Sequence, residues 1–151
     1  MNRVILYIAT SADGFIADVN GGVDWLPQDP DPEDAVGFKS MLNRIDTIIM
    51  GTRSYEQILT FGPWAWTDKQ TIVMSSRAEL KSDLDCVSIK SDSPEQAMEK
   101  LKARPVGKDI WLLGGAALAQ SFHRAKLIDE LIVTVVPTIL KEGIPLGIPF
   151  S

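Results

Sequence analysis

With one cysteine and one histidine in 151 residues, this chain has little thiol or metal chemistry open to it. Cys86 alone cannot close an intramolecular disulfide, and so sparing a use of cysteine fits a reducing compartment. It falls within Asp85–Ile89, which reads as a strand, so packing explains it. His123 by itself excludes sites built from several histidines, and late in a helical pattern it suits the negative end of that helix. Basic residues are also few: 15 Lys plus Arg stand against 20 Asp plus Glu, a formal net charge of −5 with no basic run. Nucleic acid and anionic membrane surfaces are therefore poor partners. Long hydrophobic runs are missing too. Val4–Ala9 is too short to cross a bilayer, and Asp13 follows too soon for a signal peptide. The expectation is a cytoplasmic protein without a metal, folded as one domain over residues 1–151 and 45% hydrophobic.

Six apolar stretches read as strands: Val4–Thr10, Thr47–Met50, Thr71–Met74, Asp85–Ile89, Ile110–Leu113 and Leu131–Val136. Helical patterns alternate with them, which predicts an α/β fold with a mostly parallel central sheet and helices on both faces. Asp31-Pro32-Glu33-Asp34 is a helix start with Asp31 as N-cap and Pro32 in the first turn. Ala35, Phe38, Leu42 and Ile45 then form one apolar stripe. Asp34 shares that inward side, where a carboxylate is either a proton donor or substrate anchor, or simply a partner of the cap. Asp18–Asp31, with Trp25, is a long polar loop that serves as a lid or a connector. Phe61-Gly-Pro-Trp-Ala-Trp66 is an aromatic turn that walls a pocket or packs the core.

Three strand ends carry groups suited to an anion. Gly114-Gly115 stops a buried strand and turns into the helix begun by Ala116. Bare backbone N–H groups and a helix N-terminus meet there, although a tight turn that binds nothing has the same sequence. Gly51 ends an earlier strand, followed by Thr52-Arg53-Ser54, with Ser54 to Gln57 at capping-box spacing. Ser75-Ser76-Arg77 ends a third. In parallel sheets ligands gather at the carboxyl ends of strands, and a dinucleotide with an additional phosphate would use all three.

In this order, Ser11-Ala-Asp-Gly-Phe-Ile-Ala17, Met50-Gly-Thr-Arg-Ser-Tyr-Glu56, Val73-Met-Ser-Ser-Arg77, Leu113-Gly-Gly-Ala116 and Ile128-Asp-Glu-Leu-Ile-Val-Thr-Val-Val-Pro137 resemble the dihydrofolate-reductase-like superfamily. They look most like its riboflavin-biosynthesis reductase branch, the C-terminal domain of the bacterial deaminase-reductase. The resemblance implies a three-layer fold and a reductase that uses NADPH. It also implies a ribosylaminopyrimidine phosphate substrate, as in 5-amino-6-(5-phosphoribosylamino)uracil reductases. By match, Gly114, Gly115 and Ala116 would approach the pyrophosphate, with Gly51, Thr52, Arg53 and Ser54 beside them. Ser75, Ser76 and Arg77 would hold the adenosine 2′-phosphate. Ala9, Ile16 and Ala17 would flank the nicotinamide, and Asp13 would lie near the substrate.

Pro32-Glu-Asp-Ala-Val-Gly-Phe-Lys39 resembles instead the helix of true dihydrofolate reductases. That match makes Asp34 the proton-relay carboxylate, Phe38 a ring contact and Trp25 part of the lid. After the sixth strand the chain departs from the family pattern: Lys141 replaces a glycine, and the usual C-terminal strand pair is shortened or missing. An open sheet edge there predicts a homodimer. Besides the riboflavin-type reductase, two readings stay open, a dihydrofolate reductase and a non-catalytic nucleotide-binding paralogue.

Overall fold

The computed structural model describes residues 2–27, 32–76, 82–105 and 107–148. Its centre is a six-stranded sheet in the order β5-β4-β3-β6-β1-β7, formed by Val87–Lys90, Gln70–Met74, Ile45–Gly51, Asp109–Gly114, Val4–Ser11 and Glu130–Val136. Every neighbouring pair is parallel. The six expected strands are all present, with ends moved by one or two residues.

Alternation along the strands separates two cores, one on each face. Val4 and Leu6 of β1, Ile49 of β3, and Ile110 and Leu112 of β6 face one side. There α3 (Pro94–Lys102) adds Met98 and Leu101, and α4 (Ala116–Arg124) adds Ala119 and Phe122. Ile5, Ile48, Met50 and Trp111 face the other side, covered by Met41 of α1 (Pro32–Arg44) and Tyr55 of α2 (Thr52–Leu59). The layered architecture is the expected one.

Two local expectations change. Ala35 is exposed, and Met41 takes the buried place on α1. Ile45 leaves the helix and opens β3, because the β-branched run Ile45-Asp-Thr-Ile-Ile49 favours extended backbone beside β6. The chain also forms a small pairing that the strand pattern did not predict: β2 (Phe15–Ala17) lies antiparallel to β8 (Ile144–Pro145). Gly143 permits it, since a Cβ there would collide with the Ala17 carbonyl oxygen. With the last segment folded onto β2, β7 remains at the sheet edge, where Val135 is 55% exposed.

The opposite end of the sheet is held by charge. Arg44 donates to Glu130 at 2.9 Å and to Asp109 at 3.3 Å. Arg104 bridges both Asp46 oxygens at 3.2 Å and the Thr47 hydroxyl at 3.2 Å. These pairs lock the amino-terminal strand ends, leaving the carboxyl ends as the open face.

Candidate functional site

At the carboxyl edge, four neighbouring strands end side by side: β4, β3, β6 and β1. Met74 pairs with Gly51, Met50 pairs with Gly114, and the β1–β6 register reaches Leu6 opposite Leu112. Three strand spacings make this row about 15 Å wide, the scale of an extended dinucleotide.

Two helices start in the middle of the row, both on glycine. Gly51 is the N-cap of α2 and Gly115 the N-cap of α4; both are extended, and neither helix has a side-chain cap. By contrast α3, which starts elsewhere, carries a complete Ser93–Gln96 capping box. First-turn N–H groups need partners, and here neither N-cap residue, being glycine, supplies one from a side chain. The two starts are adjacent. A Cβ on Gly51 would lie 3.9 Å from the Gly114 oxygen and 4.0 Å from the Gly115 nitrogen. One on Gly115 would lie 3.7 Å from Ser54 Oγ. The missing side chains leave a cradle between two positive helix ends, with Ser54 and the exposed Arg53 at its border.

Ser54 therefore is not the cap that its spacing to Gln57 suggested. β3 runs through Gly51 and the helix begins at Thr52, so Ser54 sits inside the first turn. Gln57 instead donates to the Gly21 carbonyl at 2.9 Å, a tether that the sequence did not reveal. Gly114 has φ +117°, a conformation open chiefly to glycine, and the Gly114–Gly115 peptide is cis. A Cβ on Gly114 would face Ile8 at 3.9 Å.

Next to the cradle, β4 ends at Met74. Ser75 is buried and its N–H donates to the Lys90 oxygen at 2.8 Å, while Ser76 is exposed. Arg77 lies outside the described residues, as does Asp31, the expected cap of α1.

On the β1 side, Ala9 is half-buried and paired with Thr134 of β7. Ile16 is half-buried against the core, and Ala17 is buried. Thr10 is 1% exposed, and its hydroxyl has no hydrogen-bond partner among the described residues. Buried hydroxyls are rarely left so, and this one lies at the end of β1 on the same strand face as Ile8.

Asp13 is exposed and fully engaged. It accepts from Ser11 Oγ at 2.6 Å and from the N–H groups of Leu140 at 3.2 Å and Lys141 at 2.8 Å. The Ser11 hydroxyl and those two N–H groups hold its carboxyl below the usual carboxylate range. Its visible work is to tie the carboxyl end of β1 to the chain after β7.

The loop from Asp18 is ordered by an aspartate turn. Asp18 Oδ1 accepts from Asn20 and Gly22 at 2.8 Å each. Half-buried Trp25 donates from Nε1 to the Gly22 oxygen at 3.2 Å. Together with the Gln57 tether, these bonds fasten the loop to α2. Across from it, Asp34 is exposed on the first turn of α1, not enclosed in an apolar pocket, because residues 32–37 are all exposed. Phe38 is half-buried, 5.5 Å from the Tyr7 ring and 5.4 Å from Trp111. The rings continue through Trp66 and Trp64 to Tyr55, so Trp64 and Trp66 pack the core, whereas Phe61 is 65% exposed. Cys86 is half-buried and free, and His123 is exposed in the last turn of α4. No helix among the described residues is long and apolar enough to cross a membrane.

Comparison with known proteins shows the family and the fold. The family model described as RibD C-terminal domain matches residues 2–144. Two uncharacterized Bacillus subtilis (strain 168) proteins are similar. YyaP is 37% identical over 157 residues, covering 97% of this chain and 80% of its own. YwjB is 34% identical over 145 residues, covering 95% and 82%. A crystal structure from Shewanella sp. PV-4, described as a candidate riboflavin biosynthesis protein, superposes with a TM-score of 0.82 at 30% identity. It covers 95% of this chain and 82% of that one. Dihydrofolate reductase from Enterococcus faecalis, solved with NADP(H), superposes with a TM-score of 0.68 at 18% identity, covering 97% and 77%. At that identity it shows the shared dihydrofolate-reductase-like fold.

Proposed function

The chain belongs to the RibD C-terminal domain family, and from that premise we propose that it is an NADPH-dependent reductase of the riboflavin-biosynthesis type, acting on a ribosylaminopyrimidine phosphate. One observation carries the reading: two uncapped, glycine-started helix N-termini lie against each other at the carboxyl edge of a parallel sheet. A pyrophosphate satisfies both at once, since its oxygens accept from backbone N–H groups and its charge suits two helix dipoles. Ser54 and Arg53 add a hydroxyl and a guanidinium at the border. The Ser75-Ser76 end, one strand further out, receives the adenosine 2′-phosphate, with Arg77 added from the sequence. Ala9, Ile16 and Ala17 form the small-residue wall for the nicotinamide, and the unpaired Thr10 hydroxyl is a polar group near that end. When bound, the cofactor supplies a hydride. The protein's residues hold it, exclude water and orient the substrate.

Asp34 and Phe38 lie on one side of α1, on the face of the sheet that Tyr7 also occupies, and form the substrate wall of this reading. The open edge of β7 is assigned to a second copy of the chain, giving a homodimer.

Titration with NADPH and NADH, followed by nicotinamide fluorescence, tests the cofactor. NADPH is expected to bind at least tenfold tighter, and binding of neither overturns the proposal. Turnover then decides between ribosylaminopyrimidine and dihydrofolate; tight NADPH binding with no turnover of either favours a non-catalytic paralogue.

A further inference from the structure

We propose that the crevice between α3 and the β5 edge of the sheet binds a small organic monoanion, a single-ring carboxylate in class. The site is separate from the cofactor cradle: its lining residues include none from the two glycine-started helices or from the Ser75-Ser76 strand end.

The cavity has a volume of about 220 Å³. Gln70 and Ile72 of β4 form its lower wall together with Lys90 of β5. Ser88, which pairs with Ile72, lies on the same face, because Val87 and Ile89 on either side of it join the opposite core. Over them runs one stripe of α3 and the turn after it: Ala97, Lys100, Leu101 and Arg104. A serine below and an alanine above are too small to close the gap between helix and sheet. The floor that results is apolar, made of Ile72, Ala97 and Leu101.

The rim is charged, and its charges are unequally committed. Lys100 is held by Asp92 at 3.0 Å, and Arg104 by both oxygens of Asp46 at 3.2 Å. The Lys90 ammonium and the Gln70 side-chain amide have no partner among the described residues. One free cation and one free amide therefore stand over an apolar floor, in a chain whose net charge is −5. A carboxylate accepts from both groups, and the rest of the ligand covers the floor. Asp92 stands at the same rim and repels a second negative charge, which favours a monoanion over a dianion. Size sets the remainder: a cavity of roughly 150 Å³ takes a benzene ring, so the volume here fits one ring and its carboxylate.

The test is titration of the whole chain with benzoate in the absence of NADPH, following the backbone ¹H–¹⁵N signals of Ile72, Lys90, Ala97 and Leu101. These signals should shift saturably, with a dissociation constant below about 5 mM for so small a ligand. Benzamide, the same ring without the charge, and sulfate, a dianion without the ring, should each bind at least about tenfold more weakly. Lys90→Gln should weaken benzoate about tenfold and, because the ammonium has no partner to lose, shift Tm by less than about 1 °C. Ala97→Leu should fill the crevice and abolish binding; the Lys90 variant decides alone if that protein does not fold. The proposal is overturned if the four signals do not move, if benzamide or sulfate binds as tightly as benzoate, or if Lys90→Gln keeps wild-type affinity. Since no cofactor is present, failure of NADPH to bind in its own titration leaves this result standing.

Discussion

Replacing Gly51 by alanine separates binding from folding, because the structure tolerates the methyl group while the proposed ligand does not. Gly51 has φ −86° and ψ 173°, which alanine adopts without strain. The nearest atoms to the new Cβ would be 3.9 Å and 4.0 Å away, ordinary contacts. The folding cost is then that of a poorer N-cap, about 0.5–1 kcal/mol. Unfolding entropy of roughly 2.1 cal/mol/K per residue over 151 residues converts each kcal/mol into about 3 °C of Tm. The variant should melt about 2–3 °C lower. The methyl, however, occupies the space through which a phosphate oxygen reaches the N–H groups between Gly51 and Gly115. Losing one charge-assisted hydrogen bond removes about 1.5–3 kcal/mol, roughly a 10- to 150-fold rise in the NADPH dissociation constant. Gly114→Ala is the counter-experiment: with φ at +117° it should cost about 1–3 kcal/mol and lower Tm by about 3–9 °C. Fluorescence titration and thermal melts on the same samples measure both quantities. If Gly51→Ala binds NADPH as tightly as wild type, the cradle does not receive the cofactor phosphates and the central argument fails.

Further expectations concern charge and the loops. Glu130 is held below the usual carboxylate range, first by its hydrogen bonds to Arg44; at Asp46 burial works upward but is outweighed by the Lys108 N–H, Thr47 and Arg104. Both folded pKa values are depressed, so their stabilisation is complete above the ordinary values of 4.5 and 3.8 and disappears as pH falls through the folded ones. Arg44→Met should lower Tm at pH 7 by about 3 °C, for about 1 kcal/mol at a partly exposed pair, and its melting curve should converge with wild type as pH falls through the lowered Glu130 value. Asp13→Asn should speed amide hydrogen exchange at Leu140 and Lys141 while global melting barely changes, because the carboxylate is exposed and its bonds are local. Asp34→Asn should abolish dihydrofolate turnover if that carboxylate donates the proton. Sedimentation at micromolar concentration should give a dimer; a stable monomer removes the assignment of the β7 edge.

What the sequence disclosed depended on how local the physical constraint was. Gly51, Gly114 and Gly115 announce themselves because strand-ending glycines are read one residue at a time, and the strand register then sets them side by side. Ser93–Gln96 is equally local and folds as written. Ser54–Gln57 has a similar pattern but lies inside a helix, because a strand delivered Gly51 to the cap position first. Ala35 was placed inward by helical period, yet what a helix face meets depends on the neighbouring layer, and the start of α1 meets solvent. The β2–β8 contact joins a three-residue to a two-residue strand across most of the chain, too short for any periodic signal.

The place of β1 in the sheet also bears on how the protein is made. It is the first strand of this sheet to leave the ribosome, yet both of its neighbours, β6 and β7, come about a hundred residues later. Even the amide N–H of Val4 donates to a carboxylate, Asp129, across a separation of 125 residues. Until that length has been synthesised, the apolar strand Val4–Ser11 has no partner in the nascent chain and must be kept from other hydrophobic surfaces. Loss of the chain beyond β6 would leave one side of β1 bare, so premature termination anywhere before the seventh strand should yield an aggregating product and no partially working one.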